Sequence, residues 1–225
     1  MPAQVAGVQG AFLTGKEIAE RHKKTPIFDK DPTGNDTCDD NQLNNLEADG
    51  KIMYDLRLGS EVYVSTKNAP IKLSEENPYI AIGPGEFAIL TTYEFLHVPP
   101  DLVGFISLRF RWAGQGLINI SGFHVDPTYK GYVVFSVYNA SPRNVVLKYK
   151  DGVFMILFAY LTRPVKGERK SGYKTLPLDL ISSVKGPPLS LWSLDKRIRK
   201  LETRLEVFIL IAGTVLAGLI AFFLK

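Results

Sequence analysis

The stretch of this sequence best suited to chemistry is residues 123–131, which contains a histidine, an aspartate, a proline and a tyrosine and leads into the apolar run 132–139. Pro127 fixes its own φ angle and Gly131 permits a tight exit, so a turn is predicted. The run that follows is rich in β-branched and aromatic residues and predicts a strand. Asp126 is therefore presented on a rigid turn beside a strand, where binding and catalytic groups commonly lie. The alternative is that its carboxylate only hydrogen-bonds its own turn.

Other candidate chemical groups carry weaker patterns. The acidic stretch 29–50 has alternating oxygen-bearing side chains around Gly34, which partly imitates a calcium loop. Pro32 interrupts it and the closing glutamate is missing, so a solvated, mobile loop is predicted. His22 lies among basic residues and is interpreted as a solvated helix end rather than a ligand. Cys38 is the only cysteine, which excludes an internal disulfide and a multi-cysteine zinc site and fits a reducing, cytosolic setting.

The elements that position Asp126 are predicted to be strands. Short apolar runs recur from residue 52 to residue 161, separated by Gly, Pro, Asn and Asp clusters, which is typical of an all-β barrel or sandwich. Before them, Thr14 and Glu17 have the spacing of a capping box and predict a short helix to about His22. The fold class is therefore predicted to be mainly β with a short N-terminal helix.

The carboxy-terminal segment has a different character. Residues 207–224 are eighteen uncharged residues, and as a helix they would span roughly 27 Å, enough for a bilayer core. A buried core helix is the alternative, but it would normally show a polar stripe. A single-pass C-terminal anchor in the lipid bilayer is predicted. The basic residues between 196 and 204 predict, by the positive-inside rule, that the β domain faces the cytoplasm.

Residues 189–206 predict a second kind of helix immediately before the anchor. Leu191, Leu194, Ile198, Leu201, Leu205 and Phe208 recur at alternating spacings of three and four. This heptad pattern predicts a short coiled coil. An amphipathic helix lying on the membrane surface is the alternative.

Composition and charge indicate the number of domains and the class of partner. A chain of 225 residues with 45% hydrophobic content allows one folded domain with appendages. The net charge of +4 is modest and the basic residues concentrate after position 162, so nucleic acid is not an expected partner. The predicted segments are an N-terminal helix and polar loop at 1–50, a β-barrel at 51–165, a basic arm and linker at 166–188, a heptad helix at 189–206 and a transmembrane helix at 207–224.

Four ordered motifs between residues 52 and 161 resemble the dCTP deaminase and dUTPase superfamily. They are Tyr54-Asp55-Leu56-Arg57-Leu58-Gly59, Ile82-Gly83-Pro84-Gly85-Glu86-Phe87-Ala88, Val98-Pro99-Pro100-Asp101-Leu102-Val103-Gly104 and the turn at Asp126. The resemblance implies a distorted jelly-roll β-barrel that assembles as a homotrimer. It also implies deoxynucleoside triphosphate substrates, bound with Mg²⁺ at sites shared between neighbouring subunits.

The same resemblance assigns roles to individual residues. It implies that Asp126 activates the attacking water and that Tyr129 packs against the deoxyribose. Arg109 and Arg111 would hold phosphates as planar, permanently charged groups, with an ion-pair role as the alternative for Arg111. Apart from the resemblance, His124 precedes Asp126 by two residues and would face the same way in an extended segment. A structural hydrogen bond is predicted for it rather than a catalytic role. The predicted site is thus catalytic Asp126 with nucleotide-binding Tyr129, Arg109, Arg111, His124 and Ser136, and no protein-bound metal.

The sequence departs from the deaminase pattern at several positions. Ser136 occupies the place of the glutamate that the deaminase branch uses as general acid and base, and Phe110 and Gly114 replace a serine and a second arginine. A serine hydroxyl does not shuttle protons at neutral pH as a tuned carboxylate does. The dUTPase pattern is also incomplete, because its Ser-Gly phosphate motif falls on Phe110 and Arg111. A C-terminal arm that closes over nucleotide is weakly echoed at 170–174.

Three functional hypotheses follow from the sequence. The first is a membrane-anchored trimer that binds a deoxynucleoside triphosphate without efficient deamination. The second is an active dCTP deaminase or dNTP pyrophosphohydrolase with Asp126 as base. The third is a structural trimeric platform on the membrane whose site is empty. The sequence itself does not choose a nucleotide base.

Overall fold

The computed structural model describes residues 12–167, 172–184, 186 and 191–223. Within these residues the chain forms eleven strands and five helices. In chain order they are α1 (Gly15–Lys24), β1 (Phe28–Asp29), α2 (Asp40–Asn45), β2 (Tyr54–Val64), β3 (Ile71–Lys72), β4 (Tyr79–Ile82), β5 (Phe87–His97), β6 (Leu102–Leu108), α3 (Phe110–Ala113), β7 (Leu117–Asn119), β8 (His124–Val125), β9 (Lys130–Asn139), β10 (Val145–Lys148), β11 (Gly152–Tyr160), α4 (Leu178–Val184) and α5 (Leu191–Phe223). The predicted mainly β fold with a short N-terminal and a long C-terminal helix is confirmed.

The strands form a curled antiparallel sheet in the order β7-β9-β5-β2-β11-β6-β8. β1 adds to β5 and β3 adds to β2, while β4 and β10 form a separate two-stranded sheet. The register shifts between Leu58 and Val62 in β2, and between Thr91 and Phe95 in β5. Because such irregularities bend a strand and increase its twist, they help to curl the sheet into a half-barrel.

The hydrophobic core lies inside this curl. Every second residue of β9 is buried, as expected of a strand with one face on the core. Phe135 of β9 stacks on Phe154 of β11 with ring centroids 3.5 Å apart. Truncating a buried phenylalanine to alanine typically costs about 3–5 kcal/mol. This packing fixes β9 and therefore the turn that precedes it.

The N-terminal helix α1 begins with the predicted capping box. The Glu17 amide donates to Oγ1 of Thr14 at 3.4 Å, and the Thr14 amide donates to the Glu17 carboxylate at 2.8 Å. Together these bonds satisfy two amides that a helix start leaves without partners. The helix ends at Lys24, two residues beyond the expected His22 and before Pro26.

The polar stretch 29–50 differs from the predicted solvated loop, because it contains α2. Asp39 caps this helix by accepting a hydrogen bond from the Gln42 amide at 3.0 Å. Leu43 and Leu46 are buried against the core. Their spacing of three places them on one helical face, but two leucines in a polar stretch are too few to establish a helical period in the sequence.

A C-terminal arm, residues 172–176, follows β11 and leads into α4. Leu176 of the arm and Ile181 of α4 are buried in a small cluster with Tyr63 and Ile89, apart from the main core. The Gly186 amide then donates to the Ser65 carbonyl at 3.1 Å. The described residues 172–184 and 186 therefore contact the barrel through Leu176, Ile181 and Gly186. The predicted Pro-Pro break at 187 and 188 lies outside the described residues.

Helix α5 is continuous over 33 residues and joins the predicted heptad and transmembrane segments. Residues 189, 190 and 224 of those segments lie outside the described residues. Of the helices in the described ranges, α5 alone is long and apolar enough to span a membrane, with a candidate span at Arg197–Phe222 that contains an 18-residue window of mean hydropathy 2.4. None of that span is buried against the barrel.

Candidate functional site

Asp126 lies on the turn between β8 and β9, and Val98, the residue after β5, holds that turn in place. The Thr128 amide donates to the Val98 carbonyl at 2.9 Å, and the Val98 amide donates to the Tyr129 carbonyl at 2.9 Å. Thr128 has a φ of +62°, a left-handed conformation that a β-branched residue rarely adopts. Such a conformation persists only where the surrounding structure imposes it, so the turn is rigid.

The Asp126 carboxylate is paired with His124. Nε2 of His124 lies 3.2 Å from Oδ1 of Asp126. Their side chains are 46% and 42% exposed, so solvent or a ligand can reach both. A carboxylate that orients an imidazole is a combination able to move protons. The structure thus brings His124 and Asp126 into contact, and the role of either residue stays a prediction.

Tyr129 is the buried member of the turn, with only 9% of its surface exposed. Its hydroxyl donates to the Tyr132 carbonyl at 2.5 Å. The arm covers the ring, because a Cβ at Gly172 would lie 2.4 Å from Cζ of Tyr129. Only glycine leaves room for this contact.

The arm is fastened to β9 by backbone hydrogen bonds. The Gly172 amide donates to the Lys130 carbonyl at 2.6 Å, and the Tyr132 amide donates to the Tyr173 carbonyl at 2.8 Å. Gly131 also lacks space for a side chain, because a Cβ there would lie 2.7 Å from the Gly172 carbonyl carbon. Two glycines therefore permit the arm to dock on the turn. Lys170 and Ser171, the other part of the predicted arm motif, lie outside the described residues.

The two predicted phosphate-binding arginines lie at the far end of β6. Arg109 precedes α3, and its Nη1 is 3.0 Å from Oδ2 of Asp55. Burial raises the pKa of Asp55, and the nearby Arg109 and Lys51 charges partly oppose this effect. The Arg111 guanidinium lies 4.9 Å from the centre of the Trp112 ring. Both cations are thus held in place by neighbouring groups.

The structure separates these arginines from Asp126 within one chain. β6 pairs with β8 so that Gly104 lies opposite Val125, the residue before Asp126. Five residues of extended chain then separate Gly104 from Arg109, a distance of about 17 Å. The arginines and the Asp126 carboxylate therefore do not form one compact cluster within a single chain.

Ser136 lies in a third place, near the middle of β9. It is paired with Ile89 of β5, and its carbonyl accepts a hydrogen bond from the Ile120 amide at 2.9 Å. Seven residues of strand separate it from Tyr129, about 23 Å. The six predicted residues thus fall into one cluster of three at the turn, a pair at α3 and Ser136 alone.

Strand β5 carries a buried carboxylate that the sequence analysis did not single out. Glu94 is fully buried, and it accepts from Nε of Arg57 at 2.6 Å and from the Arg57 amide at 2.8 Å. Arg57 also donates to the Thr37 carbonyl at 2.7 Å. Burial raises the pKa of Glu94 to about 7, although the Arg57 charge opposes this. Arg57 and Glu94 are 37 positions apart in the sequence, so their pairing leaves no local pattern. Of the two, only Arg57 lies in a motif that the sequence analysis named.

A group of possible metal ligands lies between α1 and α2. The ligand atoms of His22, Cys38 and Asp40 lie within 4.8 Å of one another. Nδ1 of His22 accepts from the Ile27 amide at 3.2 Å and the Phe28 amide at 3.3 Å, which uses the one lone pair of the neutral ring. Burial, with a contribution from Asp40, raises the pKa of the Cys38 thiol to about 12. His22 therefore ties α1 to the segment that begins β1, and the raised pKa keeps the Cys38 thiol protonated at neutral pH.

A polar cleft of about 300 Å³ lies on the outer side of β2, β5 and β9. Its walls are Asp31, Asn35, Thr37, Ser60, Glu61, Thr91, Thr92, Tyr93, Tyr132, Tyr149 and Lys174. The acidic groups are already engaged, because Glu61 accepts from the Leu176 amide at 2.6 Å and Asp31 accepts from Thr33 and Asn35. Burial, with a contribution from Asp31, raises the pKa of Tyr132 to about 12. The cleft thus borders the arm but not the Asp126 carboxylate.

Comparison with known proteins relates most of the described chain to one family. A sequence model of the dCTP deaminase-like family matches residues 12–161. The dCTP deaminase of Pyrococcus abyssi is 32% identical over 121 residues, which are 54% of this chain and 76% of that protein. The dCTP deaminase of Thermococcus kodakarensis is 34% identical over 121 residues, with the same coverage of 54% and 76%.

A solved structure supports the same fold. The crystal structure of 2′-deoxycytidine 5′-triphosphate deaminase from Agrobacterium tumefaciens aligns with a TM-score of 0.51 and 16% sequence identity. The alignment covers 68% of this chain and 49% of that chain. At this identity the likeness shows the fold alone. Helix α5 lies beyond the residues that the family model matches.

Proposed function

Because the chain belongs to the dCTP deaminase-like family, we propose that it is a membrane-anchored protein that binds a deoxynucleoside triphosphate without efficient deamination. The observation that carries the proposal is the rigid turn, which presents a solvent-accessible carboxylate paired with His124 beside the ring of Tyr129. In this proposal Asp126 faces the reacting part of the nucleotide. Tyr129 forms the wall beside the sugar once the arm has moved from its ring.

The phosphates are proposed to bind Arg109 and Arg111 of a neighbouring copy. Guanidinium groups suit phosphate oxygens because they present several donors in a fixed plane. The separation of these arginines from Asp126 within one chain supports a shared site. Mg²⁺ would arrive with the phosphates as part of the nucleotide complex.

A homotrimer is proposed as the assembly that completes this site. Large apolar side chains are exposed in and around α3, β7 and β8, some of them next in sequence to Arg109, Arg111 and His124. They include Phe110, which is 84% exposed, with Ile118, Ile120 and Phe123. Exposed apolar patches of this kind mark interaction surfaces.

Ser136 is the main reason for proposing weak or absent deamination. A serine hydroxyl at neutral pH neither accepts nor delivers a proton as a tuned carboxylate does, and the loss of such a group costs about 10²–10⁴ in rate. Its place on β9, paired with Ile89, leaves it fixed by the ladder.

The domain plan and the location are part of the same proposal. The β domain of residues 51–165 would be joined by a basic arm and linker at 166–188 to the helix 189–206 and the membrane anchor 207–224. Arg197, Arg199, Lys200 and Arg204 precede the apolar part of α5, so the β domain is proposed to face the cytoplasm.

Hydrolysis of the nucleotide is a second candidate function. It is favoured by the 3.2 Å contact between Nε2 of His124 and Oδ1 of Asp126, because such a pair can accept a proton from water. This reaction would use Asp126 as the base and would not need the missing deaminase glutamate.

Product analysis distinguishes binding, deamination and hydrolysis. The full chain in lipid nanodiscs would be incubated with Mg²⁺ and each of dCTP, dUTP, dATP, dGTP and dTTP. We expect nucleotide recovered unchanged, or slow release of pyrophosphate and the nucleoside monophosphate that Asp126→Asn abolishes and the exposed control Asp49→Asn retains. Rapid conversion of dCTP to dUTP that depends on Asp126 would contradict the first proposal.

A further inference from the structure

Helix α5 carries an exposed apolar stripe before it reaches the proposed membrane segment. Its members are Leu194, Ile198, Leu201, Leu205 and Phe208, with exposures between 48% and 68%. They span two heptads, about 22 Å of helix. No part of the candidate span from residue 197 to residue 222 is buried against the barrel. A stripe of this kind on a helix normally packs against another helix.

The heptad register places opposite charges on the two flanks of the stripe. With Ile198 and Leu205 at a and with Leu194, Leu201 and Phe208 at d, the g positions are Arg197 and Arg204. The e positions are Asp195 and Glu202. One flank of the seam is therefore basic and the other flank is acidic.

This charge arrangement distinguishes the two possible directions of packing. In a parallel coiled coil, a residue at g faces the residue five positions later at e of the neighbouring helix, which places Arg197 beside Glu202 of another copy. In an antiparallel pair, g faces g and e faces e, so that like charges meet. Like charges at such positions are destabilising and set partner choice.

The remaining flank charges are consistent with the parallel register. Asp195 accepts from Nε of Arg199 within its own helix at 2.8 Å, four residues along the chain. It therefore has an ion-pair partner without a neighbouring helix. The position five residues after Arg204 is Ile209, at the start of the apolar segment. The register thus offers one pair between helices at each interface, Arg197 with Glu202.

The same pattern disfavours a helix that lies flat on an anionic membrane. A surface helix usually has basic residues on both sides of its apolar face. Here Asp195, Glu202 and Glu206 line one side, at about 80–120° around the helix from Leu194. On a membrane surface, the negative charges of that side would be repelled by the lipid phosphates.

We propose that α5 self-associates in parallel with other copies of this chain, in a register fixed by Arg197 and Glu202. The number of helices is taken as three because a homotrimer is proposed above, and only this number rests on the proposed function. The direction of packing rests on the charges of α5 alone. Joining the helices to one head and one membrane raises their effective concentration, which allows two heptads to associate.

Disulfide trapping in the full-length protein tests the direction. In a Cys38→Ser background, Leu194→Cys and Phe208→Cys mark the two ends of the seam. In parallel packing each variant crosslinks with itself, whereas in antiparallel packing only a mixture of the two variants does. Lys200→Cys, at an outward c position, provides the control. We expect each seam variant in nanodiscs to crosslink with itself at least tenfold faster than Lys200→Cys.

Charge reversal tests the pair. Arg197→Glu and Glu202→Arg should each slow crosslinking by about twofold to fivefold, and the double reversal should restore it, while Lys200→Glu has no effect. Crosslinking only in the mixture would overturn the parallel direction. Rates equal to that of Lys200→Cys would mean a helix lying on the lipid surface and would overturn self-association. Since trapping needs no nucleotide, these results are independent of dNTP binding, which is measured on the same preparation.

Discussion

The buried Glu94 carboxylate should make the stability of the β domain depend on pH in an unusual direction. Burial raises its pKa from 4.5 to about 7, so between these pH values the folded state binds a proton that the unfolded state has released. The free energy of unfolding therefore decreases as pH rises through this window. A difference of about 2.5 pKa units corresponds to about 3 kcal/mol.

Comparison with Glu94→Gln isolates this contribution. The amide keeps the shape of the carboxylic acid but does not titrate, and it accepts only one of the two hydrogen bonds that Arg57 donates to Glu94. We expect the variant to be less stable throughout, with a deficit relative to the natural chain that shrinks by about 3 kcal/mol between pH 4.5 and pH 8.

Urea denaturation followed by near-ultraviolet circular dichroism, which reports the aromatic core, measures this difference at each pH. Glu47→Gln, an exposed carboxylate in the segment between α2 and β2, is the matched control and should leave the pH profile unchanged. If the natural chain and Glu94→Gln gave parallel pH profiles, the carboxylate would titrate at its ordinary value and the reasoning from burial would be wrong.

Two further perturbations test the site and its surroundings. Gly172→Ala should detach the arm from Tyr129, because the added Cβ would lie 2.4 Å from the ring carbon Cζ. Hydrogen exchange at the Tyr132 amide should then accelerate at least tenfold. The control Gly122→Ala, whose added Cβ meets open space, should not change this exchange rate. Unchanged protection would show that the arm tolerates a side chain. Cys38 should react with iodoacetamide at pH 8 about a thousandfold more slowly than a free cysteine, because its pKa is raised to about 12 and the thiolate is the reacting form. Mass spectrometry measures this rate, and alkylation as fast in the folded chain as in urea would contradict the burial argument.

The parts of the fold that depend on local pattern are predictable from the sequence. The capping box at Thr14, the alternation along β9 and the apolar length of α5 each lie within one element, so the residues that determine them are neighbours in sequence. The turn at Asp126 was predictable for the same reason, since Pro127 and Gly131 frame it.

The parts that depend on distant residues were not predictable. The pairing of Glu94 with Arg57 joins positions on two different strands, and neither residue type indicates burial on its own. Helix α2 is stabilised because Leu43 and Leu46 pack against the core. This packing cannot be recognised from a mostly polar stretch of sequence. The separation of Arg109 from Asp126 follows from the register of β6 with β8, a tertiary property.

The coverage of Tyr129 by the arm is a further tertiary feature. It requires Gly172 to meet a ring more than forty positions earlier in the chain. The sequence showed a glycine in a basic segment, and the short motif around it indicated an arm only by resemblance. Its docked position follows from the backbone hydrogen bonds to Lys130 and Tyr132.

Equilibrium binding of labelled deoxynucleoside triphosphates to the full chain in nanodiscs tests the central claim most directly. The proposal predicts saturable, Mg²⁺-dependent binding of at least one of the five nucleotides. It also predicts binding at least tenfold weaker in Arg109→Gln and unchanged in Arg163→Gln, an exposed arginine that follows the matched family region. The absence of saturable binding for all five nucleotides would contradict it.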